Sequence, residues 1–361
     1  MMSSQPHPLG YESKIANLPT GRHYRYVDIH PPEGVKTIAT ALLFHGFPDS
    51  AYGWRHQVKG WSSRGIRLII PDTLGYTGTS QPTDPAEYTY KKQSDDYEAL
   101  LGEIGLPKGE KLVLIAHDWG SIVAGRFAQY KPHLVKGMAN FCVPFSMVYH
   151  RVLEPATVER FIEQSSTFEY QLFFRNPEST ALIDAQTEKF ISIMYSSAKQ
   201  AQDGQVPTFE KKGVLENWLK DNSKSVHPAL LSKEELDIMV RQIKSGVGFS
   251  AMLNYYRNQI ANYEHDKDLD TEHLQLDMPK LLVLPNADPA LPLSLFDQEG
   301  KFPNIQIVYL EGLCGHWVQL EQPQEIENIV GEWVERMSEN TARPFHVQIS
   351  HFDQIFRIPG H

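Results

Sequence analysis

Short apolar runs recur along the chain, and most end in a turn or polar residue. They are "ATALLFHG" (39–46), "IRLIIPD" (66–72), "KLVLIAHD" (111–118), "VKGMANFCV" (135–143), "PKLLVLPNAD" (279–288) and "NIQIVYLEG" (304–312). Continuous rather than alternating apolarity is the mark of strands buried on both faces. Between the second and third runs, "KKQSDDYEALLGEIGL" has the spacing of an amphipathic helix, and so does the closing "QEIENIVGEWVERM". Strands separated by helices predict a mostly parallel sheet flanked by helices. From Pro144 to Met278 the strand signal vanishes, and helical spacing with many aromatic residues replaces it. The strand pattern then resumes. This predicts one α/β core interrupted by a helical insertion, with bounds 1–144 for the first part of the core, 145–277 for the insertion and 278–338 for the second part. Residues 339–361 follow the closing helix as a tail without an assigned role. An insertion at that point is expected to lie as a lid over the carboxyl ends of the strands, where open α/β sheets bind ligands.

Charge narrows the field of partners. Net charge is −10 over 361 residues, and basic clusters such as Lys91-Lys92 and Lys211-Lys212 are short. A phosphate-backbone partner is therefore not expected. No apolar run approaches the roughly 20 residues of a bilayer span, and the N-terminus lacks the charged head and apolar stretch of a secretory signal. Cys142 and Cys314 follow no ligand or disulfide spacing, which suits reduced thiols in a cytoplasmic protein. No nucleotide loop, metal-ligand spacing or flavin motif is present, so no cofactor or metal is expected. "GYTGTS" lacks the dinucleotide-binding glycine pattern.

The third apolar run carries the chemistry. In "LVLIAHDWGSIVAG" (112–125) an apolar run stops at the small residue Ala116, His117, Asp118, Trp119 and Gly120 follow, and an amphipathic run begins. This is the outline of a nucleophile elbow, with Asp118 where serine usually stands and small residues two positions to either side. An Asp there can also serve simply as an N-cap. Its company argues for more. "FHGFP" (44–48) follows an earlier strand, where hydrolases of this architecture place an oxyanion-hole amide. Asp288 follows one late strand, and His316 follows the next in "GLCGHWVQL". Nucleophile, acid and histidine thus occur in the order Asp118, Asp288, His316, that of the α/β-hydrolase fold.

From about Gly21 to Met337 the chain resembles the epoxide hydrolases of the α/β-hydrolase superfamily. The matching stretches are "HGFPDSAYGWRHQ" (45–57), "PDTLGYTGTSQP" (71–82), "AHDWGS" (116–121) and "CGHW" (314–317), with "FEYQLFF" (168–174) and "LNYYRNQ" (253–259) in the insertion. The insertion motifs are the specific ones, since neighbouring families share the others. Thr77 departs from the glycine of some relatives at a surface turn. The resemblance implies that Tyr170 and Tyr256 hydrogen-bond an epoxide oxygen, Tyr255 taking the other aromatic slot of its motif. It also implies a cis Phe47–Pro48 bond. By residue pattern alone, Tyr149, Tyr195 and Tyr263 compete for the acid role. An epoxide has no carbonyl, so opening it needs displacement at saturated carbon. Asp118 can attack to form an ester, and a phenol with a pKa near 10 can donate to the leaving oxygen. His316, oriented by Asp288, can then activate water against that ester, with the oxyanion against the N–H groups of Phe47 and Trp119. Phe47 and Trp119 also wall the pocket. The implied partner is a small epoxide, apolar or aromatic. A haloalkane dehalogenase shares the Asp–His–acid logic, but in that family an Asn commonly stands where this chain has Phe47. An epoxide-opening cyclase and a non-catalytic ligand receptor on the same fold share these residues.

Overall fold

The computed structural model describes residues 6–339, apart from 149–152, 166, 208, 210–212, 269–276 and 297–301. The tail from 340 and Tyr149 lie outside the described residues. Eight strands form one sheet: β1 (Lys14–Asn17), β2 (His23–Ile29), β3 (Ala39–Phe44), β4 (Ile66–Pro71), β5 (Leu112–His117), β6 (Val135–Phe141), β7 (Lys280–Leu284) and β8 (Ile305–Tyr309). Their order is β1-β2-β4-β3-β5-β6-β7-β8. The two N-terminal strands run antiparallel to their neighbours, and all other pairs are parallel. All six apolar runs are strands, each stopping short of the end of its run. The residues beyond each strand leave the sheet to build loops.

The hairpin β1–β2 carries no such run, and the apolar pattern does not predict it. Strand β1 lies at the sheet edge and buries only Ala16. One-sided burial removes the continuous apolar signal. The central strands show the contrast: every residue of β5 and β7 is buried.

The helices Tyr90–Ile104 and Pro323–Ser338 occupy the two helical runs. The first ends on Gly105, whose φ of 75° is the left-handed conformation of a helix C-terminus. Strands β6 and β7 are parallel neighbours, and the helical insertion lies between them in sequence. Among the described residues from Cys142 to Pro279 there are helices and no strand. The insertion is tied back to the core by Arg55, whose Nε lies 2.6 Å from Glu235 in the capping box of the helix Lys233–Ser245. It is tied again by Tyr195, whose hydroxyl donates to the Pro48 carbonyl at 3.1 Å and to Asp49 at 2.9 Å.

The carboxyl ends of β3, β5, β7 and β8 lead into Phe47, Asp118, Asp288 and His316 respectively. Adjacent parallel strands therefore deliver residues far apart in sequence to one edge, beneath the insertion. Leu114 lies at the centre of this arrangement, fully buried in β5 between β3 and β6. Leu114→Ala is expected to cost about 3 kcal/mol in urea denaturation, whereas Ile15→Ala on the edge strand should cost under about 0.5 kcal/mol.

Candidate active site

At Asp118 the chain passes from β5 directly into the helix Trp119–Tyr130, and its backbone takes φ 52° and ψ −128°. Such a conformation is strained for a residue with a side chain. Close packing around the turn holds it. A Cβ on Gly120 would collide with the Phe44 and His45 carbonyls, and one on Gly46 would lie 2.5 Å from Asp118 Cβ and Oδ1. Asp118 does not cap its own helix through its side chain. Its Oδ1 instead accepts the Phe47 N–H at 2.8 Å, and its Oδ2 lies 3.6 Å from His316 Nε2. The Phe47–Pro48 peptide is cis. The Trp119 N–H follows in the chain but makes no hydrogen bond to the carboxylate.

The other ring nitrogen of His316, Nδ1, lies 2.8 Å from Asp288 Oδ2. Asp288 is held from behind, its Oδ1 accepting the N–H groups of Ala290 at 2.8 Å and Leu291 at 3.1 Å. His316 is thus a cation site between two carboxylates. Burial disfavours its charge, but Asp288 and then Asp118 outweigh that and push its pKa up to about 10. Burial raises the Asp118 pKa, and His316, His117 and the Phe47 N–H more than offset it, holding the carboxyl below its ordinary range.

Two cavities meet at this carboxylate. The larger, about 540 Å³, is walled by Trp119, Tyr170, Tyr256 and apolar side chains such as Ile122, Val158 and Phe168. The smaller, about 50 Å³, reaches His316 and also touches Phe47, Tyr170 and Tyr256. The rings of Tyr170 and Tyr256 stand 6.5 Å apart, and Tyr256 packs edge-on against Trp119 at 4.9 Å and Phe47 at 5.1 Å. Burial, with Asp118 nearby, raises the pKa of both phenols, so both stay protonated at neutral pH. The competing tyrosines are engaged elsewhere. Tyr255 donates to the Leu74 carbonyl at 3.0 Å and to Gln93 at 3.1 Å, and Tyr195 is bound to Pro48 and Asp49. Tyr263 contacts Glu154 at 3.4 Å, away from both cavities.

A family model for the alpha/beta hydrolase fold matches residues 42–323. Epoxide hydrolase srdG of Neurospora crassa is 32% identical over 312 residues, covering 82% of this chain and 87% of the relative. The chain belongs to the epoxide hydrolase family. Bifunctional epoxide hydrolase 2 of Mus musculus is 30% identical over 83% of the chain, which spans only 52% of that longer relative. Among solved structures, Epoxide Hydrolase A from Mycobacterium thermoresistibile superposes with a TM-score of 0.72 at 28% identity, covering 90% of this chain and 98% of that one. Potato epoxide hydrolase I (StEH1) gives 0.70 at 26% identity, over 90% and 99% of the two chains.

In this family member several supporting residues carried no signal in the sequence. His117 Nε2 donates to the His316 carbonyl at 2.9 Å, and Cys142 Sγ donates to the same oxygen at 3.0 Å. Burial, then His316, lowers the His117 pKa to about 4, so His117 stays neutral. His117, Cys142 and His316 lie close enough together to suggest a metal site. His117 and Cys142, however, are engaged in holding the His316 backbone. Glu321 anchors the same loop, accepting Gly315 N–H at 3.0 Å and Ala198 N–H at 3.2 Å. His117 adjoins the elbow motif in sequence, but nothing there marks it as the partner of a carbonyl nearly two hundred residues away.

The raised pKa of His316 has a consequence for stability. Its folded value, about 10, exceeds its ordinary 6.5. Its charge therefore stabilises the fold fully below the unfolded value, and that contribution declines as pH rises through the folded value. The melting-temperature advantage of the native chain over His316→Gln should shrink between pH 6.5 and pH 10. An advantage that grows with pH over this range would mean that His316 rests neutral.

Proposed function

We propose that this chain hydrolyses epoxides to vicinal diols through a covalent ester of Asp118. The observation that supports this most is one carboxylate shared by two functions. Its Oδ1 is held by the Phe47 N–H, its Oδ2 faces His316, and both cavities that reach it are lined by Tyr170 and Tyr256, phenols that stay protonated. A serine-type site would have no use for those phenols.

In this reading Asp118 Oδ2 attacks an epoxide carbon while Tyr170 and Tyr256 hydrogen-bond the ring oxygen. The C–Oδ2 bond forms, the ring C–O bond breaks, and a phenol proton passes to the departing oxygen. The new ester is uncharged, so His316 loses one of the two carboxylates that raise its pKa and becomes a base. It takes a proton from water, whose oxygen adds to the Asp118 carbonyl carbon. The negative charge develops on Oδ1, already beside the Phe47 N–H, and the Trp119 N–H supplies the second donor. Collapse breaks the bond from the Asp118 carbonyl carbon to Oδ2 and releases the diol, its new hydroxyl taking the proton from His316. The water's second proton, left on the Asp118 carboxyl, passes to His316 and restores the ion pair, while the phenolate regains through solvent the proton that His316 shed on becoming a base. The insertion, with bounds near 145 and 277, acts as a cap that carries both phenols. The apolar and aromatic lining suits an apolar segment next to the ring.

Two measurements test the division of labour. His316→Gln should still react with an epoxide, and mass spectrometry should find an adduct of one substrate mass on the peptide containing Asp118. A folded variant left unmodified after prolonged incubation would overturn the ester mechanism. Tyr170→Phe and Tyr256→Phe should each slow ring opening, and the double substitution should reduce it by roughly 10²-fold or more, the scale of general acid catalysis. An unchanged alkylation rate in the double variant would place the acid elsewhere.

A further inference from the structure

The larger cavity is not uniformly apolar. Among the described residues that line it, Asp118 is the sole carboxylate, while Arg126 and Arg175 bring two cations. This is unexpected in a chain of net charge −10. Arg126 is accounted for by its neighbours: Nη1 donates to Gln129 at 3.0 Å, and the guanidinium lies 5.6 Å over the Tyr90 ring. Arg175 is not. Its Nε is buried without a hydrogen-bond partner, and it forms no ion pair among the described residues. Glu159 acts on it only from longer range, and burial lowers its pKa.

A structural role at the helix end does not account for Arg175 either. It stands in the last turn of the helix Tyr170–Arg175, where a cation is favourable. There, however, Arg257 already donates to the Phe174 carbonyl at 3.0 Å and the Asn176 carbonyl at 3.0 Å. A guanidinium kept part-buried and unpaired beside a substrate cavity is a fork of donors suited to a carboxylate. Tyr90 lines the same cavity and feels both arginines, and burial pushes its hydroxyl pKa up to about 12, so it remains a donor.

We propose that Arg175, with Tyr90 and Arg126 beside it, forms an anion subsite in the larger cavity, and that this chain acts on epoxides carrying a carboxylate beyond an apolar segment. The inference rests on the epoxide-opening reading of Asp118 for its substrate, though not for the subsite itself. The helix supplies the spacing. Arg175 lies five residues after Tyr170 on one helix, about 7.5 Å along its axis. The ring and the carboxylate are then separated by a distance on the order of 10 Å, once side-chain reach is added. Ile122, Val158, Ile162 and Phe168 wall the same cavity and suit the intervening chain. Anchoring at one end would select which epoxide carbon meets Asp118, so Arg175 is a specificity-determining residue.

The test compares an ω-epoxy alkanoic acid with its methyl ester on the full chain. The ratio of kcat/KM for acid over ester should exceed one. It should fall about tenfold or more in Arg175→Gln, the size of one charge-assisted hydrogen bond, and recover substantially in Arg175→Lys. A ratio unchanged by Arg175→Gln, in a variant whose melting temperature matches the parent's, overturns the subsite. Calorimetric binding of the matching saturated acid and its methyl ester separates the two readings. If neither epoxide yields diol but the saturated acid binds more tightly in an Arg175-dependent way, the hydrolytic reading fails and the subsite stands. If diol forms from both epoxides and binding ignores the carboxylate, the subsite fails alone.

Discussion

A strained turn organises the site. Asp118 holds a conformation that a residue with a side chain adopts only when its surroundings impose it. The imposition comes from two strands and a helix packed too closely for any Cβ at Gly46 or Gly120. The same closeness brings the Phe47 N–H within 2.8 Å of the carboxylate and orients its second oxygen toward His316. Strain, backbone donor and the orientation of the carboxylate are therefore consequences of one packing arrangement. Relaxing the turn would lose all three together.

Around this turn the protein keeps three ionisable groups in a row at low exposure: Asp118, His316 and Asp288. Buried charges are tolerable only when paired and hydrogen-bonded. Here Asp288 accepts two backbone N–H groups and the imidazole, and Asp118 accepts one backbone N–H and faces the imidazole at 3.6 Å. The histidine is fixed through its main chain, whose carbonyl takes two donors, from His117 and Cys142. Neutral His117 serves this purpose because a second buried cation beside His316 would be repelled by it. The row is balanced only while Asp118 is charged. Neutralising Asp118 therefore lowers the proton affinity of His316, which in the proposed cycle couples ester formation to ester hydrolysis.

The insertion supplies what the core lacks. Its aromatic side chains pack against Phe47 and Trp119, with Phe174 and Tyr256 centred 4.9 Å apart. Tyr170 and Tyr256 line both cavities, whereas the hydroxyls of Tyr195 and Tyr255 are bonded to backbone and side-chain acceptors. This distribution is not set by residue type. Tyr255 and Tyr256 are neighbours in sequence and both touch the larger cavity, but the Tyr255 hydroxyl is engaged by Leu74 and Gln93 while Tyr256 also reaches the smaller cavity beside His316. A short helical turn points adjacent side chains in different directions, and only the packed insertion determines which faces inward.

The sequence by itself determined the sheet, the place of the insertion and the elbow, because these rest on local signals. Strands buried on both faces must be continuously apolar, and the tight turn at Asp118 needs Ala116 and Gly120 beside it. The order Asp118, Asp288, His316 was legible for the same reason, since the first two end apolar runs and the third follows closely on another. The edge hairpin was not, because one-sided burial leaves only weak patterning at Lys14–Asn17. Tertiary structure alone decided which tyrosines meet the carboxylate, that His117, Cys142 and Glu321 hold the histidine loop, and that Arg175 enters the cavity unpaired. Each of these depends on contacts between segments far apart in the chain, where distance and exposure, not residue type, decide what a side chain does.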